Sequence, residues 1–222
     1  MAKKYKSPLL PILRMTLYKP ESAALIGYTV PFLAYIVSGP VLMLLFKDTL
    51  LVSLLRLILL LVFLYTYRAY YLVKPVLSVG GVLVGVLVFL VWVGLEGYYP
   101  KLSYASSAVE PALAWLMLRL VTSVMIAPVV EEVFTRDFLL RMITSRDIRR
   151  VPIGRFTVPS FILTTLFFGF SHSRWLPGLI SGVLLNILLY RSRHIGACVT
   201  AHAVANLLLA VYVIATGSWQ FW

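Results

Sequence analysis

Seven apolar stretches dominate the 222-residue chain and leave little choice of fold. They run from about Ala23 to Phe46, Thr49 to Tyr67, Val76 to Leu95, Pro111 to Val130, Phe156 to Phe170, Leu176 to Tyr190 and Ile195 to Thr216. A helix needs roughly 20 apolar residues to cross a bilayer core. In hydrocarbon, only helices and closed barrels satisfy every backbone N–H and C=O. Hydrophobic residues make up 61% of the chain, above the ~45–50% of a soluble domain. The expectation is therefore an all-α, polytopic transmembrane helical bundle of about seven spans. The fifth and sixth stretches are short, which predicts tilt or inward-facing polar extensions. No long polar linker divides the chain, so residues 1–222 read as one integral membrane domain.

The charge is +12, from 20 Lys and Arg against 8 Asp and Glu. In a soluble protein this balance would raise nucleic-acid binding. Here the bases sit at the ends of apolar runs, as membrane topology places them, so the lipid bilayer is the expected partner and nucleic acid is not. Residues 1–20 carry Lys3, Lys4, Lys6, Arg14 and Lys19 and read as a basic cytoplasmic arm against anionic headgroups. The run after it is too long for a signal peptide, and no small-residue cleavage pattern follows. Further bases fall at Arg68 and Lys74, at Arg141 to Arg155, and at Arg191 and Arg193, whereas 96–110 holds only Lys101 and two acids. This alternation predicts an inside N-terminus and an outside C-terminus. Tyr98, Tyr99, Tyr104, Trp219 and Trp222 would then be outer-interface aromatics. Cys198 has no cysteine partner and reads as a small buried apolar residue.

Within this apolar background, Glu131-Glu132-Val133-Phe134-Thr135-Arg136 stands out. Ionisable residues at bilayer depth are costly and usually face a protein interior or a wet cavity. Pro128 lies just before the pair and predicts a kink, with Glu131 to Met142 on a helix continuing the fourth span. Glu132 and Arg136, four apart, share a helical face in the favourable order, while Glu131 points about 100° away. One reading has Glu131 facing a cavity while Glu132 and Arg136 brace it; the other is a solvated helix end. His172 follows the aromatic run Phe167 to Phe170, and His202 and Asn206 are four apart on a later helix. Each has a plain structural reading, as an interfacial hydrogen-bonder or as interhelical glue. Only three histidines exist, and two fall in apolar segments; the third, His194, sits among Arg191 and Arg193 as an interface residue. Arg56 and Arg119 lie inside apolar runs without an evident partner.

A carboxylate, two imidazoles and an amide suffice for water-mediated hydrolysis. Glu131, His172 and His202 would suit Zn²⁺ with an open position if they converged, and would equally activate water without metal. There is no His-Glu-x-x-His, and Ser171 and Ser173 lack a nucleophile-elbow context.

Taken in order, Glu131-Glu132-x-x-x-Arg136, Phe168-x-x-x-His172 and His202-x-x-x-Asn206 resemble the motifs of the CAAX prenyl protease type II family, also called CPBP or Abi intramembrane proteases. The resemblance covers about residues 108–210. The stretch His172 to Leu176 and the tail Ala215 to Trp219 also resemble the bacterial CAAX-protease-related subgroup of exosortase systems. The resemblance implies a CAAX-protease-like fold and an intramembrane endopeptidase acting on a membrane-anchored protein or peptide. It implies Glu131 and His172 as activators of water, His202 and Asn206 as stabilisers of the oxyanion, and Glu132 and Arg136 in support. The family is described both as metal-dependent and as metal-free; a donor-like His202 and Asn206 pair favours no cofactor over zinc. It also implies a bacterial cytoplasmic (inner) membrane location. The alternatives are an inactive scaffold or chaperone of the same fold, which intact motif residues argue against, and a small proton-coupled transporter, for which no internal repeat is visible. Substrate identity and oligomeric state are left open.

Reporter fusions test the topology. Fusions at Lys101 and at the C-terminus are expected to report the outside and one at Arg149 the inside; a cytoplasmic C-terminus would break the seven-span alternation.

Overall fold

The computed structural model describes residues 20–71, 73–102 and 112–221, and all regular structure among them is helical. Seven apolar helices match the seven stretches. They are α1 (Pro20–Phe46), α2 (Thr49–Thr66), α3 (Val79–Gly94), α4 (Leu113–Thr144), α5 (Val158–Phe170), α6 (Trp175–Ser192) and α7 (Ile195–Thr216). Five of them are long and apolar enough to cross a membrane; α3 and α5 are shorter. The short element is thus α3 together with α5, whereas α6 has 18 residues. The basic arm and Tyr104 and Trp222 lie outside the described residues.

The fourth stretch and the segment after it form one 32-residue helix. It passes through Pro128 without a break. The strain is taken up in two π-helical turns, Val121–Ile126 before the proline and Val133–Leu139 after the Glu pair. Such turns insert one residue into the i→i−4 ladder and recur at functional sites.

Small residues set the closest contacts. Gly81 and Gly85 on α3 face Ala197 and Ala201 on α7, two small-x-x-x-small pairs meeting across one of the tightest interfaces of the bundle. A Cβ at Gly85 would lie 2.5 Å from the Ala201 carbonyl oxygen and 2.8 Å from Val204 Cβ. Gly178 and Gly182 on α6 do the same for α5, against Gly169 and Thr165. Asn186 reinforces that pair by donating to the Thr164 and Thr165 hydroxyls at 3.0 and 3.1 Å. On the other side, α1 stacks Phe32 on Phe134 (3.9 Å between centroids) and Tyr28 on Phe138. The Tyr28 hydroxyl donates to Asp137, which also pairs with Arg141. Helices α6 and α7 bury 44% of their apolar windows, against 17% and 11% for α1 and α2. The first pair is therefore the interior of the bundle and the second its lipid-facing wall. Exposed Leu33, Leu44, Leu54, Ile58 and Leu61 line that wall, a continuous apolar face that water would not tolerate.

The helix ends segregate by charge. One end gathers Arg68, Lys74, the 145–157 connection and Arg191 to Arg193; there Val76 N–H bonds the Gly196 carbonyl. At the other end, Glu96 pairs with Lys101 and Arg174, Leu102 N–H bonds the Ser173 carbonyl, and Arg174 reaches the Gln220 carbonyl in the C-terminal turn. Burial alone would raise the Glu96 carboxyl, but the hydrogen bonds from Arg174 and Lys101 outweigh it and hold it below the usual carboxylate range. Tyr99 and Trp175 meet edge-on at this end, as expected for an interfacial aromatic cluster.

Gly85→Ala is expected to cost about 1–3 kcal/mol, because the new methyl meets backbone rather than a flexible tip. Gly80→Ala, with nothing within 4 Å, should be neutral or slightly stabilising. Thermal melting of both variants in detergent checks this; equal melting points would show that the α3–α7 contact is loose.

Candidate active site

Glu131 and Glu132 occupy adjacent positions between the two π turns and point to different surroundings. Glu132 is fully buried, and its Oε1 accepts from Arg136 Nη1 at 3.1 Å and from His202 Nδ1 at 2.8 Å. Arg136 is also fully buried and lies flat over the Phe168 ring, 4.1 Å from its centroid. The four-residue spacing thus closes an ion pair away from water, not a solvated helix end. Its third member, His202, comes from 70 positions further along the chain.

Glu131 faces open space. Its Oε2 lies 3.7 Å from His172 Nε2, and Tyr35 from α1 lines the same space. His172 follows the C-terminal end of α5. Its Nδ1 is 2.7 Å from the Phe168 carbonyl, which can only accept, so Nδ1 carries a proton and Nε2 presents its lone pair toward Glu131. Trp92 meets the imidazole edge-on at 5.5 Å.

The alternating topology would put Glu131 near one side of the membrane and His172 near the other, yet they meet. Glu131 to Thr144 and Val158 to His172 are 13 and 14 steps, about 20 Å each at 1.5 Å per residue. Both groups therefore hang at the same depth from the shared 145–157 connection. The shortness of α5 is what makes this possible.

Asn206 is one helical turn beyond His202 and donates from Nδ2 to the Ser123 carbonyl at 2.7 Å. The local backbone explains why that oxygen is free. In the π turn, Ala127 N–H bonds the Thr122 carbonyl, and the next donor in that register would be residue 128, a proline without N–H. Pro128 and the π turn together leave a carbonyl that the amide takes.

Glu131, His172, His202 and Asn206 line one cavity of about 300 Å³, with Tyr35, Trp92 and Ser123. A second cavity of about 180 Å³ shares Tyr35, Glu131, Phe168 and His172. The Glu131–His172 pair thus stands at the junction of two spaces. Arg56 and Arg119 project into the larger cavity. Tyr35, Trp92, Ser123 and these arginines were not assigned a place by the motifs; an arginine inside an apolar run was the signal. His194 caps α7 by accepting from Gly196 N–H, and Cys198 is buried against the Leu185 carbonyl. Among the described residues, no three His, Cys, Asp or Glu side chains converge at metal-binding spacing.

Arg136→Ala would leave Glu132 buried with one partner fewer, at a cost of roughly 3–5 kcal/mol. Folded yield and melting point in detergent should drop for Arg136→Ala and hold for Arg149→Ala, whose guanidinium is exposed. Equal values would contradict a closed ion pair.

No curated relative and no solved structure matches the chain. A family model does match, that of the type II CAAX prenyl endopeptidase Rce1-like proteins, over residues 113–208. The matched range begins at the first residue of α4 and ends within α7, and it contains every motif residue of the site. The segment that brings Glu131, His172, His202 and Asn206 to one cavity is thus the segment that is similar to the Rce1-like type II CAAX prenyl endopeptidases, and it lies among the long apolar helices of an integral membrane protein.

Proposed function

We propose that the protein is an intramembrane endopeptidase that hydrolyses a peptide bond of a membrane-anchored protein or peptide with water activated by Glu131 and His172. The observation that carries this reading is the 3.7 Å gap between Glu131 Oε2 and His172 Nε2 at the junction of two cavities. The gap is too wide for a direct hydrogen bond, and one water held by both groups fits it.

In the proposed sequence, Glu131 takes a proton from that water as its oxygen bonds the substrate carbonyl carbon. His172 holds the water's second hydrogen through Nε2, an orientation the Phe168 carbonyl maintains. The carbonyl oxygen becomes an oxyanion. Asn206 has one amide hydrogen committed to Ser123 and one left to donate. His202, with Nδ1–H on Glu132, donates through Nε2 when the ring is the imidazolium, whose positive charge Glu132 offsets. As the C–N bond breaks, the proton held by Glu131 passes to the leaving amine, and the carboxylic acid, which keeps the water's second hydrogen, and the amine are released. Glu132 and Arg136 position His202 and do not touch substrate. Both donors are on α7, which small residues pack closely against α3, and this keeps them aimed. No step is routed through a metal.

The same reading takes residues 1–222 as one domain in a bacterial cytoplasmic membrane, with the basic N-terminal arm inside.

The decisive measurement is cleavage of membrane-anchored peptides by purified protein. Glu131→Gln keeps size and removes the base, so cleavage should fall to background while the melting point holds. Asn206→Ala should retain weak activity, since one oxyanion donor is worth about 10²–10³ in rate. Chelator should leave the rate unchanged, and inhibition reversed by Zn²⁺ would overturn the metal-free step. Full cleavage by Glu131→Gln would overturn the assignment and favour a non-catalytic scaffold.

A further inference from the structure

Two arginines enter the same cavity with no carboxylate to meet them. Arg56 is the eighth residue of α2, and Arg119 the seventh of α4. Both start from the same end of the bundle, so both lie about 10 Å inside it along their helices. Arg56 donates from Nη2 to the Tyr35 carbonyl at 2.8 Å and lies 5.0 Å from that ring's centroid. Gly39 lies beside it, where a Cβ would be in ordinary contact at 3.5 Å from the guanidinium carbon. Arg119 sits by the Trp115 ring, 6.0 Å from its centroid. The Nε atoms of both are buried without a hydrogen-bond partner, and no Asp or Glu among the described residues lies within ion-pair distance of either. Both guanidinium-bearing side chains line the same cavity.

Counting charge around the cavity sharpens the point. Arg174 has Glu96, and Arg136 has Glu132. Glu131 also faces the cavity, but the basic group within ion-pair distance of it is His172, so Arg56 and Arg119 hold positive charge in a low-dielectric bundle with no carboxylate in contact among the described residues. An unpaired charge there is costly, and residues that carry one usually serve a ligand. The missing partner is an anion. A guanidinium fork matches a planar carboxylate by two parallel hydrogen bonds. The depth of the pair puts it beneath the headgroup layer, so a lipid phosphate is not the natural occupant. The walls of Trp115, Leu118 and Phe89 are apolar, as suits a peptide.

We infer that Arg56 and Arg119 form an anion subsite that binds a carboxylate of the substrate and so sets which peptide bond reaches Glu131. The inference rests on the hydrolytic reading above only for its consequence; the binding itself can be measured without turnover.

The probes are N-dodecanoyl-Leu-Leu with a free carboxylate, the same compound as its C-terminal amide, N-dodecanoyl-Glu-Leu-amide, and dodecyl phosphate. Binding is read from the tryptophan fluorescence of the full chain in non-ionic detergent, with Trp92 and Trp115 at the cavity. The free carboxylate is expected to bind about tenfold or more tighter than the amide, the size of a charge-assisted hydrogen bond. That preference should vanish in Arg56→Gln and Arg119→Gln. Arg56→Lys keeps charge without the fork, should retain part of it, and serves if the glutamine variants do not fold. Preference for the acid over the amide shows a chain-end carboxylate as the source; tight binding of the Glu-containing amide shows a side chain. Equal affinities of acid and amide for the wild-type protein, a preference that survives both glutamine substitutions, or dodecyl phosphate binding tighter than any carboxylate would overturn the subsite. Peptide cleavage without carboxylate preference sinks the subsite alone. Carboxylate preference with no cleavage of any peptide sinks the hydrolytic reading alone.

Discussion

One buried carboxylate ties the site together. Glu132 accepts from Arg136 on its own helix and from His202 on α7, and neither of the two charged residues reaches solvent. A carboxylate and a guanidinium in a bundle interior stay charged only because they are paired, and removing either strands the other. That dependence fixes the rotation of α4 about its axis. With Glu132 turned inward to His202, the adjacent Glu131 is turned about 100° away, into the cavity. The buried glutamate therefore aims the cavity-facing one.

Helix proximity does the rest. The Gly81–Gly85 stripe lets α3 lie against the backbone of α7, and the Gly178–Gly182 stripe lets α6 lie against α5. In lipid, where apolar burial gives helices no reason to associate, such close backbone contact supplies the dispersion energy that does. Its consequence is positional. His202 follows directly on Ala201 at the first interface, and His172 comes three residues after Gly169 at the second. Both imidazoles are thus set by packing at their helix's tightest contact.

The two π turns around the Glu pair show how backbone and side-chain chemistry are linked. Each widens the helix by one residue, and the first, together with Pro128, frees the Ser123 carbonyl for Asn206. A kink at Pro128 is the expectation from the sequence; the helix runs on through the proline and absorbs the missing N–H by changing its hydrogen-bond register. The freed group then orients an amide on another helix.

Much of this was legible in the chain. Hydropathy alone located six helices to within a few residues, and the start of α4 but not its charged second half, because a bilayer demands long apolar runs. The i,i+4 spacing predicted the Glu132–Arg136 pair, and three ordered motifs pointed to the residues that now share a cavity. The Gly81-x-x-x-Gly85 spacing was also present as a signal for close packing. What the tertiary structure alone decided was depth and partnership: that Glu131 and His172 hang at equal distances from one connection, that His202 completes the Glu132 pair, and that Arg56 and Arg119 face one cavity without a counter-charge. Helical periodicity reports which face a residue occupies and nothing about which helix lies opposite. Those pairings depend on axial offset and rotation between helices, set by the summed contacts of small residues and buried ions far apart in sequence.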